Sequence, residues 1–113
     1  MRRALFALAL VATPAIAQED GAGPNLVIEV AGETSGTVTI DLFEDTAPGH
    51  VERITTLAEN GAYDGVFFHR VIEGFMAQTG DVEHGNDLNN LGRAGTGGSD
   101  LPDLPAEFSD VPF

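Results

Sequence analysis

The sequence predicts a mainly β domain with one helix. Two stretches in the first half alternate apolar residues with a period of two, residues 46–61 have helical spacing, and a β-prone region covers residues 66–79. The predicted order of elements is strand, strand, helix, strand, strand and a long loop. At 113 residues with 42% hydrophobic content, the chain can form one small globular domain.

The first two strands form a predicted β-hairpin. In the first strand, apolar residues recur at every second position: Leu26, Ile28 and Val30. The second strand has the same period at Val38, Ile40 and Leu42. Residues 32–36 between them contain two glycines and are typical of a turn, so we expect the strands to pair.

The helix follows the hairpin. Thr46 is the predicted N-cap, Pro48 falls in the first turn, and Glu52 lies early, where the helix dipole favours an acid. Gly61 is the predicted C′ residue that ends the helix. The buried stripe has helical spacing: Val51, Ile54, Leu57 and Ala58.

The second half begins with another pair of predicted strands. Residues 63–65 form a turn, residues 66–72 a strand, and residues 75–79 a further strand after an interruption at Gly74. Residues 80–105 are rich in Gly, Asp and Asn and indicate one long loop, which in a small domain is usually functional or disordered. A last short apolar segment is formed by Phe108, Val111 and Phe113.

The N-terminus has the pattern of a secretory signal peptide. Arg2 and Arg3 give a positive start, and residues 4–16 are almost entirely apolar. Residues 15–17 have the A-x-A form of a cleavage site, so we expect cleavage after Ala17 and a periplasmic or secreted protein. The alternative is a membrane anchor, but the apolar run is shorter than the ~20 residues that a spanning helix needs.

The chain therefore divides into three predicted segments. These are a signal peptide at residues 1–17, a Gly- and Pro-containing linker at residues 18–24, and a domain at residues 25–113.

Composition limits the partners. The net charge is −13, with 18 acids against 5 basic residues, all of them Arg. This balance argues against nucleic acid, which needs a cationic surface, and against anionic membranes once the signal peptide is removed.

The sequence contains no cysteine, so the exported domain cannot use disulfides. The three histidines have no paired ligand spacing, so no metal site is expected. No cofactor is expected either. One weaker alternative is a Ca²⁺ site among the acids, although no EF-hand pattern is present. A phosphate loop at residues 95–99 is rejected, because the run lacks the Gly-Lys-Ser/Thr ending and the chain has no lysine. The loop acids are predicted to lie on a solvated surface: Asp81, Glu83, Asp87, Asp100 and Asp103.

The most informative stretch is residues 67–81, Phe-Phe-His-Arg-Val-Ile-Glu-Gly-Phe-Met-Ala-Gln-Thr-Gly-Asp. Because strand side chains alternate, Phe68, Arg70 and Ile72 share one face, and so do Met76 and Gln78 after the bend. A cation, an amide and apolar groups could converge there. Without further information, Arg70 would be an edge residue or an ion-pair partner of Glu73 or Asp81, and His69 a structural residue.

This stretch resembles the signature of the cyclophilin family of peptidyl-prolyl cis–trans isomerases: Phe-His-Arg-hydrophobic-Ile-x-Gly-Phe-Met-x-Gln-x-Gly-Asp. The segments at residues 46–65, 95–98 and 106–108 also resemble that family, so the similarity covers about residues 25–113. The resemblance implies an antiparallel β-barrel with capping helices, an isomerase of proline-containing polypeptides, and a monomer if the chain is complete.

Site residues follow from the same resemblance, position by position. Arg70 matches the catalytic arginine, and Gln78 matches a polar group that orients both the substrate and Arg70. Phe75 and Met76 match walls of the proline pocket, while Ile72 and Gly95 match the edge of the groove.

Xaa-Pro isomerisation explains these residue types. The amide has partial double-bond character, and rotation about it takes tens to hundreds of seconds. No bond breaks, so no nucleophile or metal is required. A guanidinium aimed at the proline nitrogen localises its lone pair, and an apolar pocket strengthens that field by excluding water.

Three features depart from the family. The loop between Asp81 and Gly95 is longer than usual, and Arg53-Ile54 stands where the family often has Asn-Phe. The chain also ends before the later strands and second helix, which predicts that only the N-terminal part of the barrel is present. Two functions remain open: an isomerase, or a non-catalytic peptide-binding remnant of the fold.

Overall fold

The computed structural model describes residues 22–112. The predicted signal peptide, most of the predicted linker and Phe113 lie outside the described residues. The elements, in chain order, are β1 (Asn25–Val30), β2 (Gly36–Asp41), α1 (Pro48–Glu59), β3 (Arg70–Ile72), β4 (Met76–Gln78) and a 3-10 helix (Leu88–Arg93).

The four strands form two separate antiparallel hairpins. β1 pairs with β2 from Asn25 opposite Asp41 to Val30 opposite Gly36, and β3 pairs with β4. The amide of Leu42 donates to the carbonyl of Pro24, which extends the first hairpin by one hydrogen bond. The mainly β prediction therefore holds in its coarse form, while residues 22–112 form no closed barrel.

The predicted strand at residues 66–72 is shorter in the structure and begins only at Arg70. The reason lies in the hydrogen bonds of the preceding backbone. The amide of Phe67 donates to the carbonyl of Gly85 at 2.7 Å, so the backbone at Phe67 bonds to the following loop instead of to β4, and backbone bonding to β4 starts only at His69.

Helix α1 ends as predicted and begins differently. Gly61 has φ = +74°, and the amides of Gly61 and Ala62 donate to the carbonyls of Ala58 and Leu57, which is a Schellman motif. The predicted N-cap Thr46 is wrong: the N-cap is Ala47, whose side chain has no acceptor. Glu52 lies beyond the first turn, which contains no acid.

The cap of α1 comes instead from Glu107. Its carboxylate accepts hydrogen bonds from the amides of Gly49 at 2.8 Å and His50 at 3.0 Å, and it also bonds to the His50 ring. The guanidinium of Arg53 donates to the carbonyl of Pro102 at 2.6 Å. The segment 102–107 is thereby held against the N-terminal half of α1.

No apolar residue among residues 22–112 is buried. The predicted stripe of α1 is only partly covered, and the side chain of Phe108 is 96% exposed. The conformation of the loops after β4 therefore depends more on hydrogen bonds than on a hydrophobic core. The predicted long loop also contains the 3-10 helix, whose N-cap Asp87 accepts from the amide of Asn89.

Candidate active site

The β3–β4 hairpin brings four of the predicted site residues together. Its register places Arg70 directly opposite Gln78 and Ile72 directly opposite Met76. Directly opposed residues, and residues two apart along a strand, lie on the same face of a sheet. The cation, the amide and two apolar side chains therefore share one face, and Val71 and Ala77 share the other.

Phe68 is not placed on that face by the hairpin. It precedes β3, so the alternation that relates Arg70 to Ile72 does not include it.

Arg70 is exposed and forms no ion pair with a carboxylate of residues 22–112. The alternative of a structural pair with Glu73 or Asp81 is therefore wrong within the described part of the chain. A guanidinium with no carboxylate partner keeps its donors available for a ligand.

Phe75 and Met76 differ in their surroundings. Phe75 lies in the turn between the strands, where its amide donates to the carbonyl of Ile72, and it is 77% exposed. Met76, at the start of β4, is partly buried. Two shallow surface pockets lie beside α1, and one of them is also bordered by Leu101 and Leu104. None of the predicted site residues borders either pocket.

Asp81 is the residue whose role the sequence misses. It was expected on a solvated surface, but it is only 6% exposed. One carboxylate oxygen accepts from the amides of Glu83 and His84, and the other from the amides of Gly95 and Gly97, at 2.7–3.0 Å.

These four hydrogen bonds, led by the one from His84, hold the pKa of Asp81 well below its usual range despite its burial. One feature of the sequence could have indicated this role: Asp81 stands at the start of a glycine-rich loop, where many backbone amides are available as hydrogen-bond donors. Nothing in the sequence indicates which of them it binds.

Gly95 lies beside the hairpin, in contact with His69. Its φ is +92°, and a Cβ built there would stand 2.8 Å from Nε2 of His69. Both ring nitrogens of His69 are buried without a hydrogen-bond partner among residues 22–112. The backbone amide of His69 donates to the carbonyl of Gln78 at 3.1 Å, so Gly95 contacts a residue that is bonded to the site.

Glu107 is a second residue that sequence patterns miss, because the amides it binds lie more than 50 residues earlier in the chain. The hydrogen bond from His50, together with the two backbone amides, lowers the pKa of Glu107. A depressed pKa keeps the carboxylate charged, and a charged acceptor suits a helix N-terminus.

Neither a metal centre nor a membrane-spanning helix is indicated by the described residues. No three of their His, Asp or Glu side chains converge in a way that could hold a metal ion. No helix in residues 22–112 has the length and apolar character needed to cross a membrane.

Comparisons with known proteins bear on the whole of this region. The sequence model of the family described as cyclophilin type peptidyl-prolyl cis-trans isomerase/CLD matches residues 26–112. A probable peptidyl-prolyl cis-trans isomerase of Brucella suis biovar 1 (strain 1330) is 49% identical over 117 aligned positions, which cover 100% of this chain and 59% of that protein. Its counterpart in Brucella abortus (strain 2308) is 48% identical over the same shares.

A peptidyl-prolyl cis-trans isomerase of Synechococcus elongatus (strain ATCC 33912 / PCC 7942 / FACHB-805) is 40% identical over 77 positions, which cover 68% of this chain and 46% of that protein. The chain thus spans about three fifths of the length of the Brucella proteins it matches. No solved structure matches it significantly. The family match covers nearly every residue that the structure describes, and the chain belongs to the cyclophilin-type peptidyl-prolyl cis–trans isomerase family.

Proposed function

We propose that this chain acts as a peptidyl-prolyl cis–trans isomerase and that Arg70 is its catalytic arginine. The observation that supports this most directly is the register of β3 and β4, in which Arg70 faces Gln78. Family membership supplies the reaction, and the hairpin supplies a cation that has no carboxylate partner within residues 22–112, beside an amide and apolar side chains.

In this proposal Arg70 acts on the proline nitrogen of a bound polypeptide. Its guanidinium stabilises the nitrogen lone pair as the amide loses conjugation, and Gln78 orients both Arg70 and the substrate. Met76 and Phe75 contact the proline ring, while Ile72 and Gly95 border the groove. Each ~1.4 kcal/mol by which these groups favour the twisted amide gives about tenfold in rate. No cofactor is required.

The test is the rate of cis–trans exchange in a short Xaa-Pro peptide, measured by NMR with the purified chain and with Arg70→Ala. We expect acceleration by the wild type and its loss in the variant, with little change in stability because Arg70 is exposed and forms no ion pair within residues 22–112. A wild-type exchange rate with Arg70→Ala would show that Arg70 is not the catalytic residue.

A second candidate is non-catalytic peptide binding. The large exposure of Phe75 favours it, because an apolar side chain on an open face can hold a peptide without enclosing the amide. In the described part of the chain no further strand pairs with the outer edges of the two hairpins, which offer backbone groups to an added strand. Peptide binding without acceleration would select this candidate.

We also propose export to the periplasm, with clients among newly exported proteins, and a monomeric antiparallel barrel that α1 caps. The signal-peptide pattern of residues 1–17 supports the export. N-terminal sequencing of protein recovered from a periplasmic fraction should give Gln18 as the first residue. Full-length protein in the cytoplasmic fraction would contradict it.

A further inference from the structure

The carboxylate of Asp81 organises the loop that follows the hairpin. Together with the amides of Glu83, His84, Gly95 and Gly97, it forms what we call the Asp81 clamp. The clamp joins the start of the loop to a point 16 residues further along the chain. A charged carboxylate that is 6% exposed is tolerated because several amides replace its lost hydration.

The clamp reaches the candidate active site through a short chain of contacts. It fixes Gly95, which contacts the ring of His69. His69 precedes Arg70 in sequence, and its amide is bonded to the carbonyl of Gln78. One histidine therefore connects the clamp to both residues that we expect to act on the substrate.

Gly97 and Gly95 both lie too close to neighbouring groups to carry a side chain. A Cβ at Gly97 would stand 2.6 Å from Oδ1 of Asp81 and 2.7 Å from Cβ of Glu83, both far inside van der Waals contact. A Cβ at Gly95 would meet the His69 ring just as closely. A shift of Gly95 toward His69 would therefore press against the imidazole ring.

We propose that Asp81 is a positioning residue for the site: the clamp holds Gly95 against His69 and thereby sets where Arg70 and Gln78 stand. This inference rests on the proposed function for its effect on rate, and on the contacts alone for its effect on structure. Asp81 itself does not contact the reacting amide in this proposal.

Two variants test it from different directions. Asp81→Asn keeps the size of the side chain but leaves a single acceptor oxygen, so one of the two pairs of hydrogen bonds is lost. Gly97→Ala keeps the carboxylate and its charge but places a methyl group against it. The control is Asp87→Asn, an exposed residue of the same loop whose carboxylate accepts one hydrogen bond, from Asn89.

The structural readout is the set of backbone amide signals in an NMR spectrum of the purified chain. We expect both clamp variants to shift the signals of His69, Arg70 and Gln78, while the signals of α1 stay in place and exclude general unfolding. Asp87→Asn should leave all of these signals unchanged. Shifts confined to residues 83–97 in both variants would overturn the proposal.

The functional readout is the split between kcat and KM for an Xaa-Pro peptide. We expect a loss in kcat of roughly tenfold to a hundredfold in both variants, because a displacement of ~1 Å can cost about a hundredfold in rate. Unchanged kcat in both variants would contradict the positioning role. If the wild-type chain did not accelerate exchange, that result would refute the proposed function and not the positioning by Asp81. The backbone amide signals alone would then test whether the clamp positions Arg70 and Gln78.

Discussion

Arg70 lies directly opposite Gln78 across the β3–β4 hairpin. Opposed residues of an antiparallel pair have Cβ atoms about 4.5–5.5 Å apart, so the two side chains are close enough to act on one ligand. Because of this proximity, mutagenesis can test whether Arg70 and Gln78 act together.

We expect the effects of Arg70→Ala and Gln78→Ala on kcat/KM to be non-additive. If Gln78 works by orienting Arg70, its removal matters little once Arg70 is gone, so the double variant should resemble Arg70→Ala alone. The measurement is a double-mutant cycle on the exchange rate of an Xaa-Pro peptide. The control is Arg93→Ala, which removes an exposed cation from the 3-10 helix. Additive losses would mean that the two residues act independently.

The two faces of the same hairpin should differ in ligand binding. Met76→Ala should weaken binding of a proline-containing peptide several-fold, because burying one methylene contributes about 0.8 kcal/mol. Val71→Ala is the matched control, since Val71 lies in β3 on the opposite face and is 67% exposed. Titration of the peptide followed by NMR gives both affinities. Equal losses in the two variants would show that the face carrying Arg70 is not the binding face.

Docking of segment 102–107 on α1 should depend on pH. The pKa of Glu107 is depressed in the folded chain, so its contribution is complete above the ordinary glutamate value and is lost as the pH falls through the lower folded value. We expect hydrogen exchange at Gly49 and His50, corrected for its intrinsic pH dependence, to rise only below that ordinary value.

Two variants isolate the carboxylate in that experiment. Glu107→Ala should show fast exchange at both amides at every pH. Asp103→Asn, which alters an exposed acid of the same segment, should keep the wild-type profile. Slow exchange of Gly49 and His50 in Glu107→Ala would show that another group caps the helix.

Replacement of Gly61 should destabilise the end of α1. An L-residue in the left-handed region costs roughly 1–2 kcal/mol, and Gly61 has φ = +74°. We expect Gly61→Ala to lose helical circular dichroism at lower urea than the wild type. Gly36→Ala is the control, because a Cβ there meets nothing within 4 Å and the position needs no positive φ. An equal midpoint for Gly61→Ala and the wild type would contradict the importance of the Schellman motif.

Local patterns predict the local parts of this fold. Alternation locates β1 and β2, and Gly61 ends α1 as its lack of a Cβ suggests. The resemblance and the period-two alternation together select Arg70, Ile72, Met76 and Gln78, which the register then brings to one face. Their roles in catalysis stay predictions.

Long-range contacts are what the sequence does not predict. Thr46 is a reasonable N-cap by residue type, but the N-cap is Ala47, and the carboxylate of Glu107, 58 residues after Gly49, accepts from the first amides of the helix. Asp81 was expected in solvent, because no short pattern reveals that four amides converge on it. In both cases a carboxylate is held by backbone amides that come together only in the tertiary structure.

The distance along the chain between α1 and its cap also sets an order of events during synthesis. Glu107 is 58 residues beyond Gly49, and a ribosome adds about 5–20 residues per second. Roughly 3 to 12 seconds therefore pass between the synthesis of the first amides of α1 and the synthesis of the carboxylate that accepts from them. All residues of its C-terminal Schellman motif, up to Ala62, are synthesised before Glu107, so the chain holds every group that closes the end of the helix before it holds the group that caps its start.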